Sequence, residues 1–287
     1  MPDRIGTAVV VPGSSANLGP GFDVLAMALG AHVRMGFGRD EHGLSDRHPA
    51  RVAFSAAGGR GEVWFESSIP SGRGLGFSGA AIVAGTIIGL MSREGVAPTD
   101  GNGFIEERRD EILDRAATIE GHPDNVAASL FGGVVAVADR TVVNIPVGFD
   151  ARLVVWVPAS STSTSKSRGT LGDVVTRSDA VFNMGRVLML AEGLRLGDRR
   201  LLALGVQDRL HQETRFEAAP RSRAVRDAFV RNGAIVSWLS GSGPSVAALT
   251  TVEASAELVR RMRPMVEEND GRILDLSIDV GGARQAT

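Results

Sequence analysis

The sequence predicts an α+β protein built in two lobes. Strand-like and helix-like runs are mixed along the 287 residues without the regular alternation of a parallel βαβα chain. That length is large for one ordinary domain and ample for two. A turn-like stretch, Val147-Gly-Phe-Asp150, separates two strand-like runs near the middle. It sets a boundary at residue 150, with one domain over 1–150 and the other over 151–287.

Each element has its own warrant. Thr7 to Pro12, Ala31 to Phe37 and Glu62 to Ser67 read as strands, and Arg51 to Ala57 as a short helix. Ser78 to Leu90 is apolar on nearly every side, and its small residues allow close approach, which predicts a buried helix. Phe104 to Ile119 places Ile105, Ile112, Leu113 and Ala116 at helical spacing and ends before Gly121-His-Pro. Val126 to Phe131 reads as helix. Strands are expected at Gly132 to Ala138, Val142 to Pro146 and Leu153 to Val157. The serine-rich run from Ala159 to Arg168 reads as a flexible loop. Helices are expected at Asp179 to Arg195, Arg199 to His211, Arg221 to Asn232 and Glu253 to Glu268. Ala234 to Leu239, Val246 to Thr250 and Arg272 to Val280 complete the strands. There is no internal repeat.

Composition removes several function classes. Cysteine is absent, which excludes disulfides, thiolate-held zinc, iron–sulfur clusters and a thiol nucleophile. A formal net charge of −2 argues against binding nucleic acid through phosphate neutralisation. No apolar run reaches ~18 residues, so no membrane span is expected. Met1-Pro-Asp-Arg leads at once into a strand-like run, unlike an export leader, so a cytoplasmic protein is expected. Lys166 is the sole lysine and follows Ser165 rather than Gly, which rules out the GK[ST] phosphate loop.

Three Gly-rich segments remain to be explained: Pro12 to Asp23, Ile69 to Ala81, and Leu239 to Ser245. The second lies between a strand and a helix. Glycine there lets the backbone aim N–H groups at a ligand, and the helix N-terminus favours an anion. That segment is the candidate phosphate loop.

The three segments, in this order, resemble the GHMP kinases, small-molecule kinases with a Pro-x3-Gly-Leu-Gly-Ser-Ser-Ala-Ala loop. Within them the chain is most similar to the homoserine kinases. Four segments carry the resemblance: Ser14-Ser-Ala-Asn-Leu-Gly-Pro-Gly-Phe-Asp23, Glu120-Gly-His-Pro-Asp-Asn-Val-Ala127, Asp208-Arg-Leu-His-Gln-Glu-Thr-Arg215 and Ser240-Gly-Ser-Gly-Pro-Ser245. The resemblance implies a two-lobed GHMP kinase fold, with a ribosomal protein S5 domain 2-like N-terminal lobe and a ferredoxin-like C-terminal lobe. It implies ATP-dependent phosphorylation of the L-homoserine hydroxyl, for threonine synthesis, by a cytoplasmic homodimer. Another GHMP acceptor (mevalonate, threonine or a related hydroxy acid) and a non-catalytic ligand sensor are the alternatives.

Residue roles follow from the same resemblance. ATP phosphates fall to Pro70, Arg73, Gly74, Leu75, Gly76, Ser78 and Gly79. Mg²⁺ falls to Ser78 and Glu120, with Asp114 as a rival to Glu120. Asn17, Asp23, His122, Asn125, Arg168 and Arg215 fall at the acceptor site. Asn17, Glu120 and Arg215 are the candidate catalytic residues, Ser240 and Ser242 shape the third loop, and His211 is structural. No general base is named. Arginine suits the substrate carboxylate because its planar fork binds both oxygens. Two departures stand out. Position 77 is Phe where the family's loop usually has Ser, and Gly38 to Gly61, near the adenine pocket, is short.

Overall fold

The computed structural model describes residues 8–38, 44–96, 100–161, 169, 171–172 and 174–286. The first half holds β1 (Ala8–Ala16), β2 (Leu25–Phe37), α1 (Pro49–Ala56), β3 (Val63–Ser67) and α2 (Phe77–Glu94). It continues with α3 (Gly101–Glu107), α4 (Arg109–Glu120), α5 (Asp124–Phe131), β4 (Val134–Ala138) and β5 (Thr141–Ile145). The second half holds β6 (Ala151–Pro158), α6 (Arg177–Leu196), α7 (Arg199–Gly205), α8 (Gln212–Ala218) and α9 (Pro220–Arg231). Then come β7 (Val236–Leu239), β8 (Val246–Thr251), α10 (Val252–Glu268), β9 (Gly271–Ser277) and β10 (Arg284–Gln285).

Two antiparallel sheets organise these elements. The first runs β10-β1-β2-β4-β5, with β3 also on β2; the second runs β7-β8-β6-β9. Helices lie between β6 and β7 and between β8 and β9, which makes the second lobe ferredoxin-like. The chain thus has a two-lobed α+β fold, as the resemblance implies. A single apolar cluster runs from Val9 and Ile87 in the first lobe to Leu153, Trp238 and Leu249 in the second, so the lobes share a core.

The buried helix is α2, buried from Gly79 through Met91. Its glycines set the approach of α1. A Cβ on Gly85 would lie 2.1 Å from the Ala50 carbonyl oxygen, and one on Gly89 would lie 2.5 Å from that of Phe54. These small residues put the start of α2 at a fixed place beside β1, where the site forms.

Several boundaries differ from the sequence reading, each for a local reason. β1 does not end at Pro12: after a register shift it pairs with β2 through Gly13-Ser-Ser-Ala16. The helix expected over Phe104 to Ile119 breaks at Arg108, whose φ of −116° separates α3 from α4. The helix expected over Arg199 to His211 stops at Gly205. Asp208 then accepts backbone N–H bonds from Leu210, His211 and Gln212, which starts α8. The last strand, β10, returns to β1, where Ala286 N–H donates to the Ala8 carbonyl at 2.8 Å. A single cut at residue 150 therefore does not part the two sheets. No helix among the described residues is long and apolar enough to cross a membrane.

Candidate active site

Three loops from the two lobes meet at one cavity of about 620 Å³. The phosphate-loop candidate forms its floor. Gly72, Gly74 and Gly76 have φ of +68°, +73° and +67°, so every second residue is left-handed and the backbone curls into a concave nest. The nest opens onto the N-terminus of α2. No side chain caps that end and no acid lies in the first turn, which leaves its N–H groups for an anion. Glycine is required at 76. A Cβ there would lie 2.1 Å from Ser14 Oγ.

The nest is fastened from both lobes. Ser240 Oγ donates to the Gly74 carbonyl at 2.6 Å and lies 2.8 Å from Ser15 Oγ, which accepts from Trp238 Nε1 at 3.0 Å. Ser14 N–H donates to the Leu75 carbonyl at 3.1 Å. Arg73 spans to the end of β6, with its guanidinium donating to the carbonyls of Ser71, Pro158 and Ala159.

The opposite wall is the turn after β1. Asn17 and Leu18 both hold positive φ, 70° and 49°, and Asp23 holds 57°. Asparagine tolerates this region; leucine does so at a cost, which marks the turn as strained. Asn17 bridges it: Nδ2 donates to the Gly241 carbonyl at 3.0 Å and Oδ1 accepts from Asp23 N–H at 3.2 Å. Arg215 is buried, donates to the same Gly241 carbonyl at 3.1 Å and lies over the Phe22 ring at 5.3 Å. His211 orients it. Nε2 donates to the Gly19 carbonyl at 2.7 Å, which leaves Nδ1 to accept from Arg215 at 3.1 Å. Burial holds the His211 imidazole below its ordinary pKa, with Arg215 adding to the effect and Asp208 opposing it.

At the entrance to α2, Ser78 Oγ donates to Glu120 Oε2 at 2.6 Å. Burial pushes the Glu120 carboxyl above the usual carboxylate range, against the pull of Ser78 and His122. A cation beside it would favour its charged form. Two oxygens facing the nest match what Mg²⁺ takes from a protein when phosphates supply the other ligands. Asp114 lines a different cavity, 46% exposed and paired with Arg140 at 2.7 Å. Asp124 is buried and takes His122 Nδ1 at 2.9 Å; Asn125 Oδ1 accepts from Ser14 Oγ at 2.8 Å.

The family models for the GHMP kinase N-terminal domain and C-terminal region match residues 45–133 and 190–264. A homoserine kinase of Streptomyces avermitilis is 39% identical, over 88% of this chain and 88% of its own. The chain belongs to the homoserine kinase family. A homoserine kinase of Caldanaerobacter subterraneus is 34% identical over 91% of this chain and 88% of its own. The crystal structure of homoserine kinase from Cytophaga hutchinsonii superposes with a TM-score of 0.78 and 25% identity, covering 97% of this chain and 96% of its own. A mevalonate kinase structure shares the fold alone, at 13% identity and a TM-score of 0.67.

As a member of the homoserine kinase family, the chain gathers most of the sequence-derived residues at one place. Asn17, Asp23, Arg73, Gly74, Leu75, Gly76, Ser78, Glu120, His122, Asn125 and Arg215 line the cavity. Pro70 and Gly79 do not, and Arg168 lies outside the described residues. Sequence reasoning passed over Ser14, Ser15 and Asp124, although each falls within or beside a segment that carries the resemblance. Phe77, the departure from the family's loop, is the first residue of α2. Its ring packs edge-on to Phe65 and His48, with centroids 6.1 and 5.8 Å away.

Proposed function

We propose that this protein transfers the γ-phosphoryl group of ATP to the side-chain hydroxyl of L-homoserine, with Mg²⁺, in the cytoplasm and as a homodimer. The observation that carries the reading is the single cavity joining an uncapped phosphate nest to a buried arginine and an acid on one strained turn. Phosphoryl transfer asks for in-line positioning and charge neutralisation more than covalent chemistry, and the residues divide along those lines. The N–H groups of the Gly72–Gly76 loop and of the first turn of α2 receive phosphate oxygens. Ser78 and Glu120 would hold Mg²⁺, which supplies positive charge against the terminal phosphates. Arg215, aimed by His211 and Gly241, receives the acceptor carboxylate, and Asp23 receives its ammonium. Asn17 keeps Asp23 and Gly241 in register, which fixes the acceptor relative to the nest. No side chain is assigned as general base.

The ammonium site separates homoserine from mevalonate. An acceptor without an amine forgoes the charge-assisted contact to Asp23 that homoserine would make. The test is a panel of homoserine, threonine and mevalonate with ATP and Mg²⁺, read by coupled ADP detection. Homoserine should exceed mevalonate by a wide margin in kcat/KM. Equal activity on the two, or no turnover at all, would overturn the proposal.

A further inference from the structure

The outer face of α6 carries exposed apolar side chains. Val181, Met184 and Leu188, spaced three and four residues apart, are 57%, 61% and 72% exposed. Val174 and Val175 before the helix and Leu196 at its end are exposed as well. Exposed apolar residues scattered singly need no account, but a continuous line along one helix marks an interaction surface. The opposite face, with Asn183, Leu190, Gly193 and Leu194, is the one buried against this chain.

Gly185 lies beside Met184 and Leu188. Glycine inside a helix is about 1 kcal/mol worse than alanine. A Cβ there would meet nothing within 4 Å, so the chain's own packing gives no reason for it. Close approach by a second backbone does.

Charges say which partner fits. When a copy of α6 is turned end for end about the point between Met184 and Gly185, Val181 faces Leu188 and Met184 faces Gly185. In the same pairing Arg177 faces Glu192, whose carboxylate Arg195 of its own helix also holds at 2.6 Å. Hydrophobic and charged positions complement each other in a single register, as a two-fold contact requires. A lipid surface would call for flanks of one basic sign, whereas this face carries both.

We propose that the outer face of α6 docks antiparallel on α6 of a second copy of this chain, about a two-fold axis at Met184 and Gly185. The inference rests on the homodimer reading for the existence of a partner and adds where that partner sits. It gives the dimer a link to the site, because Asn183 on the inner face of the same helix donates to the Pro20 carbonyl at 3.1 Å and to Asp208 at 2.7 Å.

Sedimentation of the purified full chain tests it. Wild type should run at twice its 30.1 kDa mass. Leu188→Glu should run as a folded monomer, with an unchanged circular dichroism spectrum. Arg177→Glu should weaken the dimer about ten-fold or more, and adding Glu192→Arg to it should restore association. A monomeric wild type overturns both this interface and the homodimer. A dimer indifferent to Leu188→Glu, or a charge swap that fails to restore it, overturns the interface while sparing the homodimer. Wild type that stays monomeric and floats with neutral phosphatidylcholine vesicles overturns it in favour of lipid.

Discussion

The Ser240 hydroxyl and the Gly74 carbonyl, 166 positions apart in sequence, meet at 2.6 Å. This contact ties the phosphate nest of the first lobe to the third loop of the second. A hydroxyl has one proton, so with Ser240's on Gly74 it is Ser15 that donates between the two serines. A continuous relay then runs from Trp238 Nε1 through Ser15 and Ser240 to Gly74. Because Gly241 follows directly and receives both Asn17 and Arg215, the nest and the acceptor wall share one strut.

Ser240→Ala should therefore disturb both substrates. It removes the Gly74 contact and leaves a buried carbonyl with one partner fewer, a loss of about 1–3 kcal/mol. Urea denaturation should show that loss, and the KM values for ATP and homoserine should rise together. A rise in one alone would mean that the two half-sites are not braced by this contact.

Arg215 gives a sharper split. Arg215→Ala removes one partner of the proposed buried charge pair with the acceptor carboxylate, worth roughly 2–4 kcal/mol in homoserine kcat/KM. ATP binding, measured by calorimetry, should hold near wild type. Unchanged homoserine kinetics would assign Arg215 to the packing of Phe22 and Gly241 alone.

Much of this was legible in the sequence because glycine and capping residues act locally. The order of the loops and the buried α2 helix needed no coordinates; Ser78, Glu120, Asn17 and Arg215 were brought together only by the resemblance, and all four line one cavity. The losses are non-local. Gly13-Ser-Ser looks like a turn, and only pairing with β2 makes it strand. The return of β10 to β1 depends on two residues far from their partner. Asp114 and Glu120 share one helix, and the side that faces the nest follows from how α4 packs on α2.

His211 carries a pH prediction with a fixed sign. In the fold its imidazole is neutral, donating to Gly19 and accepting from Arg215, and burial keeps its pKa below the ordinary value. The unfolded chain takes up that proton near the usual histidine value of about 6.5. The associated stability is thus complete above that pH and is lost as pH falls toward the depressed folded value. Protonation would also strip Arg215 of its acceptor. His211→Gln should flatten the decline between about pH 7 and 5, by at most one proton or about 1.4 kcal/mol per pH unit. Denaturation curves at matched pH will show it. Parallel slopes for the two proteins would refute the neutral assignment.

Phe77 bears most directly on whether the nest works. Its ring stands edge-on to Phe65 and His48 at the cavity wall, while the next residue, Ser78, reaches Glu120. The donors that the nest would offer a phosphate are backbone N–H groups, which the side chain at 77 does not alter. A lost hydroxyl contact to a charged phosphate is worth on the order of 1.5–3 kcal/mol, enough to weaken a site without abolishing it. Phe77→Ser would regain such a contact and give up aromatic packing worth about 0.5–1.5 kcal/mol per pair. The wild type should accordingly bind ATP·Mg and turn over. The substitution should lower the melting temperature and change the KM for ATP more than that for homoserine. Calorimetry that finds no ATP·Mg binding to wild type, with binding gained in Phe77→Ser, would instead make the protein a sensor built on a kinase fold.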